Sequence, residues 1–106
     1  MGETMIRSHL VSELSERLML REKLCQEVIS TIVDEIESAL IRGERVEIRG
    51  FGVFNLRYRA ARMGRNPRTG EKVHVSPRYS VLFRAGKMMR ESVDFQRLVD
   101  EANKKS

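Results

Sequence analysis

The stretch Gly64 to Gly70, GRNPRTG, sets a proline between two arginines where hydrophobic side chains are almost absent. Arg62, Arg65, Arg68 and Lys72 surround Pro67, and Asn66 adds an amide beside it. Such a group has no nucleophile or base to use. Its chemistry is the grip of cations on a polyanion, with one rigid apolar ring at the centre. The rest of the chain offers no covalent alternative. We find no Ser/His/Asp set, no Cys/His pair and no paired carboxylates in a pocket-forming context. Gly50-Phe51-Gly52 is too short for a nucleotide fingerprint, and the Walker pattern is absent. One cysteine and two distant histidines do not make a zinc site. His9, one helical turn from Glu13, reads as a partly exposed structural residue. His74 reads as an ordinary ribbon residue, although it could meet a phosphate. The expectation is a protein with no catalytic residue, metal, cofactor or small-molecule substrate.

Net charge is +5, and its distribution is uneven. Met1 to Glu44 holds nine acids and five bases. Arg45 to Arg90 holds twelve bases against Glu47 and Glu71, a balance of +10, and Glu91 to Ser106 carries −1. A charge run is usually a solvated face. Twelve bases against two acids in 46 residues, beside an acidic half, is a field aimed at a polyanion. Nucleic acid is the first expectation and an anionic membrane surface the second.

The 106 residues suit one small domain whose core is marginal alone, so oligomerisation is expected. No apolar run approaches the length of a membrane span, and the N-terminus lacks the order of a signal peptide. The single cysteine, Cys25, cannot form an intrachain disulfide and fits a reducing cytoplasm.

The cationic stretch needs elements to hold it. In the acidic half, Ile6, Leu10, Val11, Leu14 and Leu18 recur at helical spacing, with Thr4 as N-cap. After a break near Met19-Leu20, a second helix carries Leu24, Val28, Ile32, Ile36 and Leu40, flanked by Ile29, Val33 and Ala39. Gly43 closes it, with Arg42 at the negative end of the dipole. Its apolar surface is too wide for one short neighbour and points to a partner chain. Met5, Met19 and Cys25 are expected to fill gaps in this core.

From Arg45 the period becomes two. Val46 and Ile48 lead to a turn at Gly50-Phe51-Gly52, whose glycines are expected to supply backbone angles closed to other residues. Phe54, Leu56 and Tyr58 then alternate with Asn55, Arg57 and Arg59. A later strand, Arg78 to Phe83, puts Tyr79, Val81 and Phe83 on one face. Between them, Arg59 to Val75 reads as a β-ribbon that leaves the sheet and returns; alone, such a ribbon is barely stable in water. A third helix runs from Lys87 to about Ala102, before a polar tail, Asn103 to Ser106. The fold class is therefore α+β, in three parts: helical base 1–44, sheet and arm 45–85, and C-terminal helix with tail 86–106.

Asn66-Pro67-Arg68-Thr69-Gly70 is sound turn chemistry by itself. A two-stranded ribbon is also roughly 5 Å between strand axes, and arms of about seven residues reach roughly 23 Å. The DNA minor groove is about 6 Å wide, so a thin ribbon can follow it. Arg62, Arg65, Arg68 and Lys72 would meet phosphates and groove floor. The proline ring could enter between base pairs, at an unstacking cost of roughly a few kcal/mol that a larger protein contact offsets.

Gly43 to Val73, GERVEIRGFGVFNLRYRAARMGRNPRTGEKV, closely resembles the HU / integration host factor family of bacterial DNA-bending proteins. Phe83 to Lys87, FRAGK, is similar to that family's motif before its last helix, and Val46 to Gly52 is most similar to its integration host factor beta branch. Minor-groove wedging is a known property of this family, so the wedge reading and the resemblance are not independent. The resemblance runs from about Ile6 to Val93. It implies two chains intertwined through their helices, with the sheets forming a saddle and arms wrapping the minor groove. It implies an intercalating role for Pro67, with Asn66 and Arg65 beside it on the groove floor. It places Arg49, Arg57, Arg59 and Arg62 on the saddle or arm root, and Lys87 on a phosphate. With Arg68, Lys72 and Arg78, these residues form the expected DNA-binding set. The implied partners are double-stranded DNA and a second identical or related chain, and the implied location is the cytoplasmic nucleoid. Two departures stand out: Ala85 replaces a usual proline, and Asp94 to Ser106 runs past the usual end. That extension could lengthen the last helix, brace the dimer or recruit another partner.

Two versions of this function differ. Integration host factor-like action prefers sites read through groove shape and often uses a heterodimer. HU-like action is a homodimer's, with little sequence preference. From another class, a membrane-surface or polyanion binder would use the same field, but the basic stretch alternates like strands instead of forming an amphipathic helix. RNA binding through Tyr58, Tyr79 and the phenylalanines is disfavoured because these rings fall on the apolar strand face.

Overall fold

The structure, a computed structural model, describes residues 2–105. Helices α1 (Arg7–Leu18) and α2 (Glu22–Ile41) precede strands β1 (Val46–Ile48), β2 (Gly52–Arg59), β3 (Arg62–Arg65), β4 (Lys72–Val75) and β5 (Arg78–Ala85). Helix α3 (Lys87–Lys105) follows. The architecture is α+β.

Helix α1 starts later than Thr4 would set it. Ile6 is its N-cap, and the His9 imidazole reaches back to accept the Ile6 N–H at 3.2 Å. His9 therefore completes a helix end that an apolar cap cannot satisfy. Met19 ends the helix in the left-handed conformation, φ 53°. Ser15 holds the corner, its hydroxyl donating to the Leu20 carbonyl at 2.6 Å.

Helix α2 ends in a Schellman motif. Gly43 adopts φ +87°, its N–H bonds the Leu40 carbonyl, and the Glu44 N–H bonds that of Ala39, both at 2.9 Å. Val11, Cys25 and Ile29 are the buried hydrophobic residues among those described, with Leu14 and Leu20 packed against them. Cys25 fills the core as expected. Met5 and Met19 do not: both are exposed, Met19 at 91% because the left-handed cap turns it to solvent.

Strands β1, β2 and β5 form an antiparallel sheet in the order β1-β2-β5. Register pairs Val46 with Phe54, Phe54 with Phe83, Leu56 with Val81 and Tyr58 with Tyr79, which gathers the apolar residues on one face. The first turn is shifted from the expected one. The Phe51 N–H bonds the Ile48 carbonyl at 2.9 Å, and Gly50 takes φ +81° at the third turn position. Gly52 already belongs to β2 and has no positive φ. It must be glycine because a Cβ there would lie 2.6 Å from the Phe83 ring and from the Arg84 carbonyl. Phe83 uses that room to contact Phe51 and Phe54, at centroid distances of 5.1 and 4.9 Å.

Strand β5 continues past Phe83 to Ala85, and α3 starts at once, so Ala85 serves as the last sheet residue, opposite Gly52. Helix α3 also outlasts the expected limit at Ala102: Asn103 and Lys104 are helical. Ser106 lies outside the described residues.

The chain exposes 9605 Å², whereas a folded monomer of its mass exposes about 6,100 Å². Its radius of gyration is 19.5 Å, against about 13 Å for a compact domain of this length. Much apolar surface on α2, the sheet and α3 is open.

Candidate nucleic-acid interface

Strands β3 and β4 pair only with each other, as a two-stranded ribbon separate from the main sheet. Arg62 faces Val75, Met63 faces His74, Gly64 faces Val73, and Arg65 faces Lys72. Alternation gives the ribbon two faces. One carries Arg62, Gly64, Val73 and Val75; the other carries Met63, Arg65, Lys72 and His74.

The ribbon tip is built by its own hydrogen bonds. The Asn66 N–H donates to the Glu71 carbonyl at 2.9 Å, and the Asn66 carbonyl accepts the Gly70 N–H at 2.7 Å. This second bond spans four residues, so the loop is an α-turn and not the tighter β-turn suggested by its composition. The Asn66 side-chain oxygen accepts the Arg68 N–H at 2.8 Å, and the Arg65 guanidinium donates to the Gly70 carbonyl at 3.2 Å. Gly70 closes the loop at φ +75°. Pro67, which has no N–H to donate, occupies the outer corner and is exposed. Asn66 thus orders the tip, and Pro67 is what the tip presents.

A second cluster lies at the arm root. Arg57, Arg59, Arg62 and Arg78 line a recess of about 470 Å³, together with Tyr58, Ser76 and Ser80. Arg59 and Arg78 are cross-strand partners, a like-charge pair that costs stability unless an anion sits between them. The ion pairs among the described residues are Arg17–Glu13, Arg42–Glu44 and Arg97–Asp100, all within helices or at their ends. The site cations have no such partner. Arg84 shares the sheet face of Arg57, Arg59 and Arg78 by register, facing Val53, and belongs with them. The period of two that placed the other three also identifies Arg84.

Arg49 and Lys87 form a third group at the opposite end of the sheet. Arg49 occupies the corner of the β1–β2 turn. The Gly86 N–H bonds the Phe51 carbonyl at 2.9 Å, which brings the start of α3 and Lys87 against that turn. The expected residues therefore fall into a tip (Arg65, Asn66, Pro67, Arg68, with Lys72 on the adjoining strand), a root (Arg57, Arg59, Arg62, Arg78) and a far corner (Arg49, Lys87).

A helical base carrying a sheet with one cationic face, extended by a cationic ribbon, defines a class of ribbon-armed polyanion binders. The family model described as bacterial DNA-binding protein matches residues 5–94, and the chain belongs to that family. Relatives named integration host factor subunit beta, from Nitrosomonas eutropha and Nitrosomonas europaea, are each 52% identical over 91 residues, 85% of this chain and 87% of theirs. The protein of that name from Azoarcus sp. is 48% identical over 91 residues, 85% of this chain and 97% of its own. Among solved structures, Anabaena HU in a cocrystal with DNA matches with a TM-score of 0.78 at 36% identity, covering 84% of this chain and 97% of that one. An HU variant from Thermotoga maritima matches with a TM-score of 0.62 at 25% identity, covering 84% and 99%.

Proposed function

We propose that this protein is an architectural DNA-binding protein of the bacterial nucleoid, which wraps the minor groove with its ribbon arms and bends the duplex by inserting Pro67. The observation that carries this reading is the exposed Pro67 ring at the outer corner of a self-braced tip, on a ribbon lined with unpaired cations. The root arginines bind backbone phosphates and fix the arm on the duplex. The tip then supplies the wedge, and the bent duplex meets more protein surface.

The single chain is half of the working unit. Its buried core is small and its open surface exceeds that of a folded monomer by roughly 3,500 Å². Apolar grooves remain on both sides of α2, one toward α1 (Leu10, Val28, Ile32) and one toward the sheet (Leu40, Phe54, Val81). A second chain, identical or related, fills them, so the 1–44, 45–85 and 86–106 parts act as one intertwined domain. The names of its relatives, subunits of integration host factor, favour site preference over indifferent packaging.

The test is a binding titration on duplexes of about 35 base pairs, with resonance energy transfer between labelled ends and competition between A-tract and random sequence. The reading expects end-to-end shortening on binding, tighter binding to the A-tract duplex, and log K falling with log salt at about −0.9 per phosphate neutralised. Tight binding with no change in end-to-end distance would refute bending.

A further inference from the structure

Helix α3 is the one long element that nothing in its own chain covers. The Gly86–Phe51 hydrogen bond ties down its start, but among the described residues no other element makes more than a marginal contact with it. Met88, Phe95, Leu98, Val99 and Ala102 fall on one side, and Met88, Phe95 and Leu98 are 76%, 70% and 69% exposed. Most helical stability in proteins comes from packing an amphipathic face, so a helix with this stripe open needs a surface to lie on. The family match ends at residue 94, so the last eleven described residues carry this stripe beyond the part shared with the family.

We infer that the tail of α3, from Phe95 onward, is a brace that seats its apolar stripe on the helical base of the second copy. This rests on the dimer reading above. Met88 opens this side inside the family-matched region, Glu91 and Ser92 interrupt it, and the continuous apolar stripe is the one from Phe95 through Leu98 and Val99 to Ala102, in the tail itself. Open apolar grooves flank α2, the complement such a stripe requires. Charge agrees with this seat. From Phe95 to Lys105 the helix carries three bases and two acids, whereas Met1 to Glu44 carries nine acids and five bases, so the signs of tail and base are opposite. DNA is a poor occupant, because the exposed side of the stripe is apolar.

The test uses the full chain with Phe95 replaced by the photoreactive p-benzoylphenylalanine, made in ordinary and ¹⁵N-labelled forms that are mixed, unfolded together and refolded. Irradiation should give cross-links from position 95 to α1 or α2 peptides, including pairs with one labelled and one unlabelled partner. Sedimentation equilibrium should show the chain cut after Asp94, and Phe95→Ser/Leu98→Ser in the full chain, dissociating at least tenfold more readily than the parent. The exposed Gln96→Ala change should leave dissociation unaltered. Cross-links only within one isotopic form, no cross-links in a dimer, or unchanged dissociation in both variants would overturn the brace. A parent chain that sediments as a monomer would instead remove the dimer reading, and the brace with it.

Discussion

The tip and the root of the arm are both cationic, but they are held in different ways. At the tip, Asn66, Gly70 and Arg65 close a loop with directed hydrogen bonds, and the group presented is an uncharged ring. At the root, four arginines converge on a recess without a carboxylate partner, and two of them face each other across the ladder. The tip stores shape, and the root stores unsatisfied charge. Bending and affinity should therefore be separable by mutation.

The largest separation should come from the root. Arg57→Ala/Arg59→Ala/Arg78→Ala is expected to weaken duplex binding by about 100-fold at low salt and to flatten the salt dependence by roughly 2.7, three times the slope of one phosphate contact. The bend angle at saturation should stay near that of the parent. Titrations at several salt concentrations check this, and an unchanged slope would show that these arginines do not meet phosphates. Gly52→Ala probes the platform beneath both regions. The added methyl meets the Phe83 ring and the Arg84 carbonyl, so the thermal midpoint should fall with a loss of about 1–3 kcal/mol, the usual cost of overpacking. A smaller effect is expected from Gly70→Ala. Nothing blocks its Cβ, but φ +75° costs a non-glycine residue about 1–2 kcal/mol, which should blur the tip and reduce bending more than affinity.

Much of this arrangement is legible in the sequence because its causes are local. The change of period at Arg45 marks the sheet, and the loss of apolar residues after Arg59 marks the ribbon. Asn66-Pro67 with Gly70 marks its turn. What escaped depends on contacts across the chain. Gly52 looks like a turn glycine until the Phe83 ring is placed over it. Thr4 is a good cap by type, but His9 supplies the bond that sets the helix start at Arg7. The like-charge facing of Arg59 and Arg78 needs the β2–β5 register, which no single strand reveals. Arg84 is the reverse case, readable from alternation yet easily passed over beside the denser root.

The central claim is that Pro67 bends the duplex while the root arginines hold it. The most direct measurement is end-to-end energy transfer on one 35-base-pair duplex, at matched saturation, for the parent, Pro67→Ala and the triple arginine variant. The account predicts a markedly straighter duplex with Pro67→Ala at an affinity within a few-fold of the parent, and parent-like bending for the arginine variant once enough protein is supplied. Parent-like bending with Pro67→Ala would contradict it.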